Sequence, residues 1–237
     1  RTPGKPAKGY DDLVARIAAY VATGEKGSLA SLVAGAPHDD ATAVPGQLIH
    51  WLFAMGDTLP ANLLRALAVV GSHPEVRTEV YAELEGKVLT RGKEVASLDY
   101  LGGVILEAMR LWPTTPLFGR VTTREVAFPD GRVLPEGSQV LIHNLHNHRD
   151  RDRVAFADRC APGEWASGDA AASWSFNFFS HGPQGCPGAG MSVFLGQAFL
   201  AALLSRATPE LVAPSLNPSK PLPYGLDLFG VRIKLTS

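Results

Sequence analysis

Residues 178–190 read FFSHGPQGCPGAG, and this stretch is the most informative part of the chain. It places four glycines and two prolines around Cys186 and leads directly into residues 191–204, an apolar run that predicts a helix. A thiol held just before a helix N-terminus gains electrostatic stabilisation of its thiolate from the helix dipole. Glycines let the backbone approach a large group closely, and their N–H groups can point at sulfur. The stretch therefore predicts a thiolate that binds a metal from one side.

The choice of metal depends on which other ligands the loop supplies. A zinc site needs several Cys or His ligands, and the loop offers only His181 beside Cys186. A haem needs a single protein ligand on one face, because the porphyrin supplies the ligands in its plane. The loop thus favours haem. The alternative is a buried structural cysteine in a glycine-rich turn, which is a common place for a free thiol.

The loop also resembles a known family. Residues 179–188 fit the FxxGxxxCxG pattern of the haem-thiolate monooxygenases, the cytochromes P450, at each fixed position. The resemblance implies haem b as the cofactor, with Cys186 as its axial ligand. Further haem contacts are expected from Phe179, Gly182, Gly188 and Ala54, and contacts to the haem propionates from Arg120, His181 and Gln184.

A second motif lies in residues 101–112, which read LGGVILEAMRLW. They predict a helix that ends before Pro113 and has Ser97 as its N-cap. Glu107 and Arg110 fall at i and i+3, so they share one face of this helix and can pair. The apolar residues around them predict a partly buried pair rather than a solvated one. The resemblance makes this the ExxR helix, in which the pair supports the chain that carries the cysteine loop.

The pair is expected to have a third partner, and here the chain departs from the family. Residues 161–165, APGEW, resemble the segment that normally supplies an arginine to the glutamate–arginine pair. Glu164 stands at that place instead. Either Arg159 substitutes for the missing arginine, or the group of three is incomplete.

Residues 47–70 predict one long apolar helix, buried on most sides. Pro60 has no N–H, so the carbonyl of Gly56 loses its helical partner. The helix should open there, beside Asp57 and Thr58. The alternative is a capped break between two helices, with one of these two polar residues as the N-cap. The resemblance implies that Asp57 and Thr58 are catalytic residues that deliver protons on the distal face of the haem.

The residues before this polar pair depart from the family. The resemblance implies Ala or Gly, then Gly, then any residue, whereas this chain has Ala54, Met55 and Gly56. A methionine side chain in place of glycine would crowd or reshape the oxygen site. Proton delivery is expected to be retained.

Strand-like patterns fill the chain between the two motifs. Residues 119–128 and 133–142 predict arms of hairpins, with a turn at residues 130–131, Asp-Gly. Near the start of the chain, residues 12–21 predict a short helix.

A cluster of histidines offers a rival metal site. His143, His146 and His148 lie within six residues, and the last two would share one face of a strand. No Cys, Asp or Glu falls at tight ligand spacing beside them, so we disfavour zinc there. Cys160 is expected to be a packing residue rather than a second ligand.

Composition fits a water-soluble globular protein. The chain has 237 residues, 46% of them hydrophobic and 19% charged, which is enough to form a core. Its net charge of −1 and the lack of a basic cluster exclude an electrostatic case for nucleic acid. Two cysteines in different contexts favour a reducing compartment over a disulfide framework. With no run long enough to span a membrane, we expect a soluble, cytoplasmic protein, of bacterial type.

The expected fold class is mostly α with small β-sheets, an α+β arrangement that forms the C-terminal part of the cytochrome P450 fold. Residues 1–237 are expected to be the haem-binding part of a single domain whose N-terminal part is absent, or is supplied by a separate chain or segment. The expected function is insertion of one oxygen atom from O₂ into a small apolar substrate. Electrons would come from a ferredoxin with its reductase or from a flavoprotein reductase, because the sequence has no flavin or nucleotide motif of its own.

Two other functions stay open from the sequence. One is a haem-thiolate peroxygenase or isomerase, which Met55 leaves possible and the acid–threonine pair argues against. The other is a haem-binding fragment without independent catalysis.

Overall fold

The computed structural model of the protein describes residues 8–39, 43–168 and 170–237. The chain divides between Thr58 and Leu59 into two units, which are taken in turn. In the first unit the described elements are α1 (Tyr10–Thr23), α2 (Leu29–Ala34), α3 (Val44–Phe53) and a π-helical turn (Ala54–Thr58).

Helices of the second unit, within the described residues, are α4 (Leu59–Ser72), α5 (Pro74–Leu84), α6 (Gly92–Ala96), α7 (Asp99–Leu111), α8 (Asn144–His148), α9 (Gly163–Ala166) and α10 (Ala189–Leu204). Its strands are β1 (Leu117–Val121), β2 (Val126–Ala127), β3 (Val133–Leu134), β4 (Gln139–His143), β5 (Thr208–Ala213) and β6 (Arg232–Thr236). Many helices with short strands between them confirm the predicted α+β class.

The strands form antiparallel pairs, β1 with β4, β2 with β3 and β5 with β6. In the first pair Gly119 lies opposite Leu141. The predicted turn joins β2 to β3, and Gly131 adopts a φ of +82° there, which glycine reaches without strain. The hairpin prediction is therefore confirmed, with the two predicted arms each divided between two short sheets.

Helices α4, α7 and α10 enclose the main core of the second unit. Their buried apolar side chains include Val69 from α4, Ile105 from α7 and Leu200 from α10, each fully buried. A Cβ on Gly196 of α10 would lie 2.8 Å from the side chain of Ile105 and 2.9 Å from that of Leu63. Glycine at this position therefore allows α10 to approach both other helices closely, and the three together support the loop that precedes α10.

The prediction that residues 47–70 are buried on most sides is only half right. Helix α4 buries seven of its residues, but in α3 only Leu48 is buried among the described positions. Leu52 and Phe53, at the end of α3, are 59% and 73% exposed. Hydrophobic side chains alone therefore did not identify which part of this segment is in the core.

The start of α7 differs from the prediction. Ser97 ends α6 and does not cap α7, whose N-cap position is Leu98 with no capping side chain of its own. The carboxylate of Glu83 instead accepts the backbone N–H groups of Tyr100 and Leu101, at 2.7 and 2.9 Å. A negative charge at this end also complements the helix dipole. The predicted stop is confirmed, since α7 ends at Leu111.

In the described part of the chain, no helix has the length and apolar character that crossing a lipid bilayer requires.

Candidate functional site: the cysteine loop and its supports

The Cys186 loop is shaped by its own backbone. Ser180 and Gly182 have φ values of +59° and +65°, so the chain reverses tightly after Phe179. The N–H of Cys186 then donates to the carbonyl of Phe179 at 2.7 Å, which closes the loop. Cys186 is exposed, unlike the buried structural cysteine of the alternative interpretation.

Glycine leaves room beside the Cys186 sulfur. A Cβ on Gly188 would lie 3.9 Å from Cys186 Sγ, in van der Waals contact with it. The next residue, Ala189, begins α10, so the thiol lies just before the N-terminus of a sixteen-residue helix, as predicted. An exposed thiol on a tight loop, with hydrogen in place of a side chain next to it, fits a large planar group that approaches the sulfur.

Two of the three predicted propionate residues share a cleft. Arg120 and Gln184 both line an open cleft of about 690 Å³ formed mainly by β1 and β4. The Arg120 guanidinium lies 5.0 Å from the centre of the Phe118 ring and donates to the carbonyl of Gly119 at 2.9 Å. A cation and an amide in one cleft are suited to carboxylate groups. This pairing supports the prediction for these two residues.

His181 is held differently. Its Nε2 lies 3.1 Å from the carbonyl oxygen of Phe176, to which it donates. Its ring stacks on Trp174 with 4.5 Å between the ring centres. The structure thus ties the His181 side chain to the segment just before the loop, and its predicted contact with a propionate stays a prediction.

Glu107 and Arg110 form a fully buried ion pair on α7. Both Nε and Nη2 of Arg110 donate to the Glu107 carboxylate at 2.7 Å, and both side chains have no exposed surface. Arg110 also donates to the backbone carbonyls of His148, Phe156, Ala157 and Arg159. The pair is therefore more deeply buried than the sequence predicted. The Arg110 guanidinium also holds the backbone between α8 and α9 through these hydrogen bonds.

The third partner of Glu107 is a tryptophan. Trp165 donates its indole Nε1–H to Glu107 Oε2 at 2.8 Å, and the backbone N–H of Ala161 donates to Oε1 at 2.8 Å. Glu164, at the expected position, is exposed, and Arg159 meets the pair through its backbone carbonyl. Arg159 therefore does not substitute for the missing arginine, and the group has no third charged member, as the second alternative expected. The neutral Trp165 indole occupies the remaining site of the carboxylate. No local pattern in the sequence signals this contact.

His148 joins α7 to the start of the loop, and the sequence analysis missed this role. Its Nε2 accepts the backbone N–H of Asn177 at 2.8 Å, so the ring proton is on Nδ1, which lies 3.2 Å from the carbonyl oxygen of Arg110. Burial lowers the pKa of His148 to about 4, and the nearby Arg110 charge acts in the same direction. The ring is therefore neutral at physiological pH.

The rival zinc site does not form. His143 is the last residue of β4, whereas His146 and His148 lie on the short helix α8 rather than on one face of a strand. His148 is also committed to the two backbone contacts above. Within the described residues, no group of three His, Cys, Asp or Glu side chains is placed to hold a metal ion. Burial also raises the pKa of the Cys160 thiol, which keeps it protonated. Cys160 packs against the core, as predicted.

The polar pair Asp57 and Thr58 lies in the π-helical turn of the first unit. Helix α4 begins at the next residue, Leu59, so the helix widens at this turn without an intervening loop residue. The predicted opening is confirmed, and the capped break is not what forms. Ala54 and Asp57 are exposed in this turn. Turns of this type occur frequently at functional sites.

Met55 points into the first unit. It lines an apolar cavity of about 180 Å³, together with residues of α1, α2 and α3 such as Tyr20, Leu29 and Trp51. A side chain that fills space between helices of its own unit has a packing role. This position gives no support to the expectation that Met55 crowds an oxygen site.

Comparison with protein families agrees with this site. Residues 40–223 match the model of the family described as Cytochrome P450. The matched range contains the polar turn, the Glu107–Arg110 pair and the Cys186 loop.

Individual relatives come from several kingdoms. The chain is 28% identical over 180 residues to Cytochrome P450 94A2 of Vicia sativa. This alignment covers 71% of this chain and 35% of the relative. It is 33% identical over 129 residues to cyclooctat-9-en-7-ol 5-monooxygenase of Streptomyces melanosporofaciens. This alignment covers 53% of this chain and 28% of the relative. It is 30% identical over 169 residues to beta-amyrin 24-hydroxylase of Glycine max. This alignment covers 65% of this chain and 32% of the relative.

The matched part thus spans about a third of the length of each of these relatives. Other relatives are animal and fungal proteins, so the expectation of a bacterial type gains no support.

Proposed function

The chain belongs to the cytochrome P450 family, and from that premise we propose that it forms the haem-binding C-terminal part of a monooxygenase domain. The remainder of the domain would be supplied by a segment outside residues 1–237. The proposed reaction inserts one oxygen atom from O₂ into a small apolar substrate. The observation that carries the proposal is the exposed Cys186 thiol, held on a closed loop just before α10.

The residues of the loop and the cleft fit a haem. Cys186 would bind the haem iron through its sulfur, and the hydrogen of Gly188 leaves space beside that sulfur. Phe179 and Gly182 would contact the macrocycle through the loop. Arg120, with Gln184 and His181, would hold the propionates. The proposed cofactor is haem b, which when bound supplies O₂ binding and activation with a thiolate that pushes electron density onto iron.

Asp57 and Thr58 are the proposed proton-relay residues. A carboxylate and a hydroxyl adjacent in sequence can hold a water between them and pass a proton along it. Their π-helical turn supports the role, because widening the helix frees a backbone carbonyl that can take part in the same hydrogen-bond chain. Ala54, in the first position of this turn, is small and would leave room for a ligand.

The buried supports have a separate task. Glu107 and Arg110 would fix the backbone on which the loop rests, and they would take no part in proton transfer. Their contacts to the segment 156–161 support this assignment. Removing one member of a buried pair leaves an uncompensated charge, at a cost of about 3–5 kcal/mol, so both contribute to the stability of the fold.

Substrate and electron donor are proposed by class. Two relatives are named for reactions on cyclooctat-9-en-7-ol and beta-amyrin, which supports an organic substrate without selecting one. The proposed donors are a ferredoxin with its reductase or a flavoprotein reductase. We propose a cytoplasmic location on the composition alone.

The test of function is the source of oxidising equivalents. The haem-loaded protein, completed by its N-terminal segment where the isolated chain does not bind haem, is supplied either with O₂ and an NAD(P)H-driven reductase or with peroxide alone. Substrate oxidation that needs the reductase and O₂ supports the monooxygenase. Oxidation with peroxide alone identifies a peroxygenase, and rearrangement without any oxidant identifies an isomerase.

A further inference from the structure

The contact between Trp165 and Glu107 carries a further inference. Trp165 is only 4% exposed, and its Nε1–H reaches Glu107 Oε2 at 2.8 Å. Arg110 and the N–H of Ala161 occupy the other sites of the carboxylate. The indole therefore completes the hydrogen-bond set of a carboxylate that water does not reach. Removing this one donor would leave a buried charged oxygen short of a partner.

Helix α7 fixes the Trp165 side chain at both of its ends. A Cβ on Gly103 would lie 3.4 Å from the Cβ of Trp165 and would clash with the carbonyl oxygen of Pro162. Glu107, one helical turn further along the same face, holds the indole nitrogen. Glycine at position 103 lets α9 lie directly against α7, which brings the indole within reach of the carboxylate.

The indole ring also packs against the chain that enters the cysteine loop. Its centre lies 4.9 Å from that of the Phe176 ring and 5.5 Å from that of Phe178. Phe178 in turn contacts Phe179 at 5.2 Å, and the carbonyl of Phe179 accepts the Cys186 N–H. A short series of packed rings therefore connects the buried carboxylate to the cysteine.

We propose that Trp165 is a positioning residue for Cys186, which couples the Glu107 carboxylate to the loop through one hydrogen bond and the rings of residues 176–179. Because the indole is neutral, it adds no third charge to the Glu107–Arg110 pair. The coupling therefore depends on the N–H donor and on ring packing. Opening of the loop should move the indole away from Glu107. Loop opening and loss of the Trp165–Glu107 hydrogen bond should therefore occur together, with the same free energy of opening.

The first test uses the unmodified chain and amide hydrogen exchange by NMR. If the loop and the indole open together, the Trp165 Nε1–H and the Cys186 N–H show the same protection, lower than that of the Val70 amide in the core of α4. The indole N–H of Trp174, which is 75% exposed, is the reference for a free indole. Exchange of the Trp165 indole at the Trp174 rate would overturn the proposal.

The second test is Trp165→Phe, which keeps a ring and removes the donor. We expect exchange at the Cys186 amide to become about ten- to a hundredfold faster, the range for loss of a hydrogen bond to a charged group. The free energy of opening measured at this amide should depend only weakly on denaturant concentration, because a local opening exposes little surface. Trp174→Phe, the matched control, keeps a ring against His181 and makes no contact with Glu107, so it should leave this exchange unchanged.

Two results would contradict the positioning role. One is an unchanged Cys186 exchange rate in Trp165→Phe. The other is a faster rate with the same denaturant dependence as Val70, because the variant would then have lowered global stability only. If Trp165→Phe does not fold, the exchange of the two N–H groups in the unmodified chain still decides.

A readout with haem extends the inference to iron ligation, and there it rests on the proposed function. In the haem-loaded protein, Trp165→Phe should lower the fraction of thiolate-type carbon monoxide complex relative to Trp174→Phe. If the unmodified protein itself gives no such complex, the proposed function fails while the exchange result on the loop stands.

Discussion

Acidification should destabilise the protein through His148, and this prediction can be worked out from the contacts of the ring. His148 accepts the Asn177 N–H with Nε2 and donates to the Arg110 carbonyl with Nδ1. Protonation converts Nε2 into a donor facing a donor, so the hydrogen bond to Asn177 is lost. The ring has no exposed surface and lies beside the Arg110 guanidinium, so the added charge is neither hydrated nor paired.

The magnitude follows from the difference in pKa between the folded and the unfolded chain. The pKa of His148 falls from 6.5 to about 4 on folding, so the folded protein binds this proton more weakly. Its contribution to stability is therefore fully present above pH 6.5 and is lost as the pH falls towards 4. A shift of this size corresponds to about 3 kcal/mol, or roughly a few hundredfold in the folding equilibrium.

The assay is the free energy of unfolding in urea, measured at steps of pH across this window. His148→Gln is the test variant, because an amide can donate to Arg110 and accept from Asn177 without titrating. We expect it to lose about 3 kcal/mol less than the unmodified chain between neutral pH and pH 4.

His73, whose pKa burial also lowers, contributes equally to both chains and cancels from the difference. His146→Gln, an exposed change on the same helix, should keep the full acid sensitivity. Equal acid sensitivity in His148→Gln and the unmodified chain would refute the assignment of a buried neutral ring.

Three further predictions concern packing, charge and thiol reactivity. Gly103→Ala should lower the free energy of unfolding by about 1–3 kcal/mol despite the better helix propensity of alanine. Gly163→Ala, the control, has open space around it and should not lower it. Equal effects of the two changes in thermal unfolding would contradict the close approach of α9 to α7. Glu107→Leu should cost about 3–5 kcal/mol by leaving its arginine partner buried and unpaired, and a near-neutral result by urea unfolding would contradict the ion pair. A thiol reagent should label exposed Cys186 in the folded chain faster than half-buried Cys160, whose thiol pKa burial raises, and equal labelling rates by mass spectrometry would contradict this difference.

Much of the site follows from local sequence, because its features are local. The tight Cys186 loop depends on glycines within a few residues, and the end of α7 on Pro113. The opening before α4 depends on Pro60, whose missing N–H acts one turn away. In each case the physical cause lies within about one helical turn of its effect, so a single sequence is sufficient to predict it.

The features that the sequence missed depend on residues far apart in the chain. Glu83 caps α7 from 17 positions away, and Trp165 reaches Glu107 across 58 positions. Ser97, predicted as the cap of α7, and Arg159, one of two alternatives for the third partner, are nearby residues of the right chemical type, but neither side chain makes the contact. His148 was considered only as a metal ligand, and disfavoured as one. Its structural role depends on backbone partners, which the identity of side chains does not reveal.

The central claim is that Cys186 ligates haem iron as a thiolate, and the carbon monoxide difference spectrum of the reduced, haem-loaded protein tests it most directly. We predict a Soret band displaced strongly to the red, present in Cys160→Ser and absent in Cys186→Ser. A band at the position typical of histidine ligation in the unmodified protein, or a red-shifted band that persists in Cys186→Ser, would contradict the claim.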